Sequence, residues 1–192
     1  GMLKTISNLI NFSYILFIAF LILIFSNSLF NTAEATPTFV DSFSVASQDT
    51  IPTDIAFNND GTKMFVIWYS GKDVNEYTLS TGFDVSTASF VDSFSVASQE
   101  SNPAAVAFNN DGTKMFVIGY TGDDVNEYTL STGFDVSTAS FVDSFSVASQ
   151  ESNPAAVAFN NDGTKMFVIG YTGDDVNEYT LSTGFDVSTA SF

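Results

Sequence analysis

Histidine, cysteine and arginine are all missing from the 192 residues. Without His or Cys, a Ser-His-Asp triad, a Cys nucleophile, a His or thiolate zinc site and ordinary haem ligation lack their side chains. No disulfide can form, so stability has to come from packing. The absence of Arg removes the planar fork that grips phosphate and carboxylate in bidentate fashion. Cations of any kind are scarce: 5 Lys+Arg face 22 Asp+Glu, for a net charge of −17 and a pI near 4.1. A surface this negative repels polyanions, so no nucleic-acid partner is expected. Hydrophobic residues make up 45% of the chain, enough for a packed core rather than disorder. The length suits one or two domains.

Residues 1–35 read as an address. One cation, Lys4, precedes an apolar run from Tyr14 to Phe25, and a polar stretch ends in Ala33-Glu34-Ala35. The run spans about 18 Å as a helix, short of the roughly 30 Å hydrocarbon core. Small residues at Ala33 and Ala35 match a signal-peptidase site, with the cut before Thr36. The alternative is a retained membrane anchor, with Leu9, Ile10 and Phe12 extending the helix, and then the membrane is met only through this segment. Either way the rest is expected outside the cytoplasm: extracellular, periplasmic or at the cell surface.

The remainder, residues 36–192, is one text repeated. Phe39, Phe90, Phe141 and Phe192 recur every 51 residues; 90–140 and 141–191 are identical, and 39–89 departs from them at nine positions. A period of this length points to a propeller. Within a unit, Ala104–Phe108, Lys114–Tyr120, Val125–Ser131 and Phe141–Val147 are strand-like, separated by Gly, Asn, Asp and Ser. Four short antiparallel strands in such a span make one blade. The small residues of Ala104–Phe108 suit the crowded strand nearest the axis. The expected fold is therefore all-β: a β-propeller of four-stranded antiparallel blades, about three of them in an open arc, preceded by an N-terminal hydrophobic helix. Three blades cover only about 135–180° of a circle. The arc is completed by a longer polypeptide, of which this chain is then a fragment, or by self-association.

The unit A-x-F-N-N-D-G-T-K-M-F-V-I followed by G-D-D-V-N-E-Y-T-L-S-T resembles bacterial YVTN- and NHL-type propeller repeats. The likeness covers residues 39–191, although Met115-Phe116-Val117-Ile118 stands where the YVTN tetrapeptide would be. It implies a propeller, a fold that serves as binding platform, scaffold and sometimes enzyme.

Candidate site residues lie in the loops. Those carrying Glu100 and Asp123-Asp124, repeated as Glu151 and Asp174-Asp175, are expected on one face as an acidic rim. Their oxygens suit Ca²⁺, which is the one cofactor the sequence admits, although Asp is also a routine turn residue and no confident metal site is assigned. Asn109-Asn110-Asp111-Gly112 lacks calcium-loop spacing and reads as a hairpin turn. Trp68, Tyr69, Tyr120 and Tyr171 are aromatic candidates for stacking on a sugar or anchoring a protein, against the alternative of packing between blades. No catalytic residue is assigned. Identical blades offer the same groups again, so the expectation is a non-catalytic binding or scaffold platform for protein or glycan partners. The alternatives are a Ca-dependent propeller hydrolase or lactonase whose catalytic blades lie outside this chain, and a purely structural array.

Overall fold

The computed structural model describes residues 36–48 and 50–192; the expected leader at 1–35 lies outside the described residues. Residues 41–192 form one compact unit. Each repeat makes one antiparallel sheet whose strands lie in sequence order. The first blade holds β1 (Pro52–Phe57), β2 (Lys63–Trp68), β3 (Asp73–Leu79) and β4 (Ala88–Ser95). The second holds β5 (Pro103–Phe108), β6 (Lys114–Gly119), β7 (Asp124–Leu130) and β8 (Ala139–Ser146). The third holds β9 (Pro154–Phe159), β10 (Lys165–Gly170), β11 (Asn177–Leu181) and β12 (Ala190–Ser191). The propeller-type, all-β expectation is met. The only helical pieces among the described residues are short 3₁₀ turns at Val85–Thr87, Val136–Thr138 and Val187–Thr189.

β1, β5 and β9 lie against one another, which makes them the inner strands, as their alanines required. The second strand is buried almost throughout in the first two blades, where Met115, Phe116, Val117 and Ile118 of the second are all fully enclosed, whereas β10 of the third leaves Ile169 exposed. A strand sandwiched on both faces has no polar side to show, and after its leading Lys114 the run MFVIG shows none. The outer strands β4 and β8 are mostly exposed. In each, one residue is unpaired: Tyr128 faces Phe141 and Glu127 faces Asp143, so Val142 is a bulge. The bulge shifts the alternation, and Phe141 packs on Tyr128 of its own blade while Phe145 reaches Tyr179 of the next.

The core is a series of layers between sheets. Phe65, Ile67 and Val74 of the first blade pack on Val106, Met115 and Val117 of the second. Phe116, Ile118 and Val125 repeat this against Val157, Met166 and Val168 of the third. Burying each such side chain contributes about 1.5–3 kcal/mol, so one junction outweighs any single loop contact.

A polar clamp runs through each layer. Lys63 Nζ donates to Glu76 Oε1 and to the Phe134 carbonyl, both at 2.6 Å, while Glu76 Oε2 accepts from the Val136 N–H at 3.0 Å. Lys114, Glu127, Phe185 and Val187 make the same set at 2.5, 2.7 and 2.9 Å. The first and second blades are thus each tied to the 3₁₀ turn of the one that follows.

The hairpin turns follow the sequence expectation. Gly112 donates to the Asn109 carbonyl at 3.1 Å, and Asp111 accepts from the Thr113 N–H and hydroxyl at 3.0 and 2.6 Å. Gly112 is required here twice over: its φ is +71°, and an added Cβ would lie 2.3 Å from the Phe134 ring.

Candidate functional site

The loops entering the inner strands and the β2–β3, β6–β7 and β10–β11 loops share one face, as alternation along a four-stranded meander requires. Tyr69, Tyr120 and Tyr171 donate their backbone N–H groups to Ile51, Asn102 and Asn153, the residues leading to β1, β5 and β9. Each tyrosine follows directly on the second strand of its blade, so the 51-residue period sets the three rings in a row. Ring centroids are 6.3 Å apart for Tyr69–Tyr120 and 5.8 Å for Tyr120–Tyr171. Tyr171 is 67% exposed and Tyr69 38%, while Tyr120 between them is half-buried. Burial, followed by the neighbouring Tyr171 and Tyr69, pushes the Tyr120 hydroxyl up to about 12. At neutral pH it is a proton donor with a flat apolar face, suited to a hydroxyl- or carbonyl-bearing ring.

The carboxylates on this face divide into two kinds. Asp123 and Asp124 are half-buried at the surface, and Asp174 and Asp175 are exposed. Asp123 occupies a left-handed position with φ 53°, and its Oδ1 is buried with no hydrogen-bond partner. Asp124 is pushed above its ordinary value by burial, helped by the charges of Asp123 and Glu100 and opposed by a hydrogen bond from Ser146. Such a carboxylate is a better proton acceptor than a free one.

Glu100 and Glu151 do not reach a rim. Both are wholly buried. Glu100 accepts from Asn102 N–H at 2.7 Å, Thr121 Oγ1 at 2.5 Å and Gly122 N–H at 3.1 Å, stapling two loops together. Glu151 repeats this on Asn153, Thr172 and Gly173. Burial works to raise the Glu151 pKa, but these donors together hold it below its ordinary value. The space they occupy comes from Gly119: a Cβ there would stand 2.6 Å from the Glu100 carboxyl carbon. The first repeat has Trp68 at that position and the shorter Asp49 in place of Glu.

Trp68 is also fully enclosed, in a cluster with Met64, Val66, Tyr77 and Leu79, and cannot stack on a ligand from there. Asp54, on the inner strand β1, accepts from the Val106 N–H through its Oδ2 at 3.0 Å, linking two inner strands. A calcium site needs several converging oxygens, and among the described residues no three acidic side chains converge.

Two groups of residues escaped sequence reasoning. The Lys–Glu clamp joins residues 13, 60 and 71 positions apart, and its only signal was the repetition of Lys and Glu in facing strands. Phe83, Phe134 and Phe185 adopt positive φ near 60° and cover the hairpin glycines. Their Thr-Gly-Phe context read only as a turn.

No protein-family model matches the chain, and no curated protein matches it. Solved propeller structures do. A protein of Bacteroides fragilis provisionally named a 6-phosphogluconolactonase aligns with TM-score 0.54 at 13% identity, over 73% of this chain and 36% of its own. The periplasmic gluconolactonase PpgL of Pseudomonas aeruginosa aligns with TM-score 0.55 at 16% identity, over 73% and 39%. The β-propeller domain of Cps50 (Swd1) from Myceliophteria thermophila aligns with TM-score 0.50 at 11% identity, over 73% and 42%. At such identities the likeness establishes the fold, and the chain spans about two fifths of these structures. The neighbours nevertheless correct one expectation. Identical blades repeat the same groups and point to a non-enzyme, yet the fold is shared with proteins named for lactone hydrolysis. Repetition within three blades places no limit on what an assembled ring does.

Proposed function

We propose that these blades belong to a ring-shaped propeller that hydrolyses sugar-derived lactones, exported from the cytoplasm and built from YVTN/NHL-like repeats. The observation that carries the reading is the fold shared with the two gluconolactonase-named propellers. The tyrosine row supports it: Tyr69, Tyr120 and Tyr171 offer phenol hydroxyls and stacking faces to a polyhydroxylated ring. Asp124 supplies a carboxylate with a raised proton affinity on the same face, suited to taking a proton from water as it attacks the lactone carbonyl. That step adds hydroxide to the carbonyl carbon, breaks the ring C–O bond and returns the proton to the released alkoxide. The apolar segment Tyr14–Phe25 and the periplasmic location of one neighbour support export.

The test is lactone opening by the purified protein, followed by acid release in a weakly buffered solution and corrected for spontaneous hydrolysis. Glucono-δ-lactone is the probe. Acceleration that saturates with substrate, with KM raised by Tyr120→Phe and turnover lowered by Asp124→Asn, is the expected result. A rate equal to the spontaneous one at every substrate concentration refutes the proposal.

A further inference from the structure

The electron-rich side chains of the described residues divide sharply by burial. Trp68, Tyr77, Tyr128 and Tyr179 are wholly enclosed, as are Met115 and Met166, and Met64 is 3% exposed. Tyr69, Tyr120 and Tyr171 are the exception: all three reach solvent on one face, and they do so as neighbours. Tyr120 has a blade on either side and is still only half-buried, so its access to solvent belongs to the loop face and not to an uncovered flank. No cysteine competes for an oxidant anywhere in the chain. An oxidant that reaches the folded blades therefore meets the tyrosine row first.

We propose that the row is an oxidative cross-linking site, at which a one-electron oxidant joins Tyr120 to Tyr171 by a carbon–carbon bond between their rings and so ties the second blade to the third. The inference stands apart from lactone opening, since no substrate takes part in it.

Tyr120 and Tyr171 are the closer pair of the row, with ring centroids at 5.8 Å and planes inclined by 42°; Tyr69 and Tyr120 stand at 6.3 Å and 47°. Both separations are ordinary aromatic contacts. The hydroxyl ends of the closer pair meet as well: after burial, a hydrogen bond with Tyr171 is the next cause of the raised Tyr120 phenol. The ring carbons ortho to the two oxygens flank that meeting point, and a phenoxyl radical carries much of its unpaired electron on those carbons. The backbone sets the two rings in place from below, because the Tyr120 and Tyr171 N–H groups donate to the Asn102 and Asn153 carbonyls at 3.0 and 3.1 Å. Closing the bond calls on the side chains and leaves the strands where they are.

The oxidant is hydrogen peroxide acting through a peroxidase. Each ring gives up one electron and its hydroxyl proton, which makes two phenoxyl radicals. These pair between ortho carbons, and the hydrogen on each of those carbons moves to oxygen as the ring becomes aromatic again. The protein loses two hydrogen atoms, and one hydrogen peroxide takes them up as it becomes two molecules of water. The product closes a loop of one 51-residue repeat, the kind of staple that a disulfide supplies in chains that have cysteine.

The test treats the dilute 192-residue chain with a peroxidase and hydrogen peroxide, and recovers the material that still runs as one chain under denaturing conditions. This product should be two hydrogen atoms lighter than the parent and should fluoresce as a biphenol. Proteolysis should release one linked pair of peptides, carrying Tyr120 and Tyr171. Its unfolding midpoint in urea should rise by at least about 1 M, because the link removes loop entropy from the unfolded chain. Tyr120→Phe, with unchanged circular dichroism, should abolish the single-chain product, whereas Tyr128→Phe, altered at an enclosed ring, should keep it. Links formed only between chains, a single-chain link that excludes Tyr120, oxidation of Met115 or Trp68 instead while the protein stays folded, or a linked product no more resistant to urea than the parent would each overturn the proposal.

Discussion

Replacing Glu127 with Ala removes the centre of the clamp between the second and third blades. In the folded chain this carboxylate is 2% exposed, pairs with Lys114 at 2.5 Å and accepts from the Val187 N–H at 2.9 Å. The substitution leaves a buried N–H without an acceptor and a cation without its counterion. Breaking one side of a buried pair costs about 3–5 kcal/mol. Lys114 keeps 28% of its side chain in solvent and still donates to the Phe185 carbonyl, so the loss falls near the lower end, about 3 kcal/mol. With a urea slope of about 1–3 kcal/mol/M, the unfolding midpoint should drop by about 1–3 M. Glu127→Gln keeps the acceptor for Val187 and should lose less. A midpoint within about 0.3 M of the parent for Glu127→Ala, measured with an unchanged slope, would refute the idea that the clamp ties the blades.

Gly119→Ala places a Cβ 2.4 Å from the Asn102 carbonyl oxygen and should destabilise by about 1–3 kcal/mol, read from thermal melting. Adding Glu100→Asp should restore part of that loss, and an unchanged melt for the single variant contradicts the steric argument. Burial pushes Tyr77 up to about 12, and Tyr128 and Tyr179 upward from 10. Because the fold favours the neutral phenol, this stability is complete below pH 10 and is lost as pH rises through the folded values. Circular dichroism and phenolate absorbance should therefore change together in strong alkali; ionisation of every tyrosine near pH 10 without unfolding contradicts it. Trp68, the single tryptophan, should emit at short wavelength and resist acrylamide until the first blade unfolds. Ready quenching in the native state would place it at the surface instead.

Blade architecture was legible because its determinants are local and repeated. Asp-Gly and Asn-Asn turns, a continuous apolar run and a run of alanines each specify one step, and the 51-residue period multiplies them. The destination of the polar side chains was not. Glu100 looks like Asp124 in a loop, and only the room left by Gly119 draws it inside. Lys114 and Glu127 look like surface charges until β6 and β7 pair and the third blade closes over them. The tyrosine row was visible as a periodic residue but not as a stack, since its spacing depends on the angle between sheets. Trp68, singular in the repeat, drew attention as a binding aromatic, although in this fold it fills a core position.

The central claim is that the three repeats are wedges set around an axis, each shielding its neighbour's flank. Ser80, Ser131 and Ser182 are exposed equivalents on successive blades, and spin labels placed there in pairs report the arrangement directly. Doubly labelled protein diluted into unlabelled protein should give equal 80–131 and 131–182 distances. The 80–182 distance should be about 1.4–1.85 times either, the chord across two steps of a ring of four to eight blades. An 80–182 distance equal to the sum of the other two, as in a straight stack, or broad and unequal distributions, as in independent units, would contradict it.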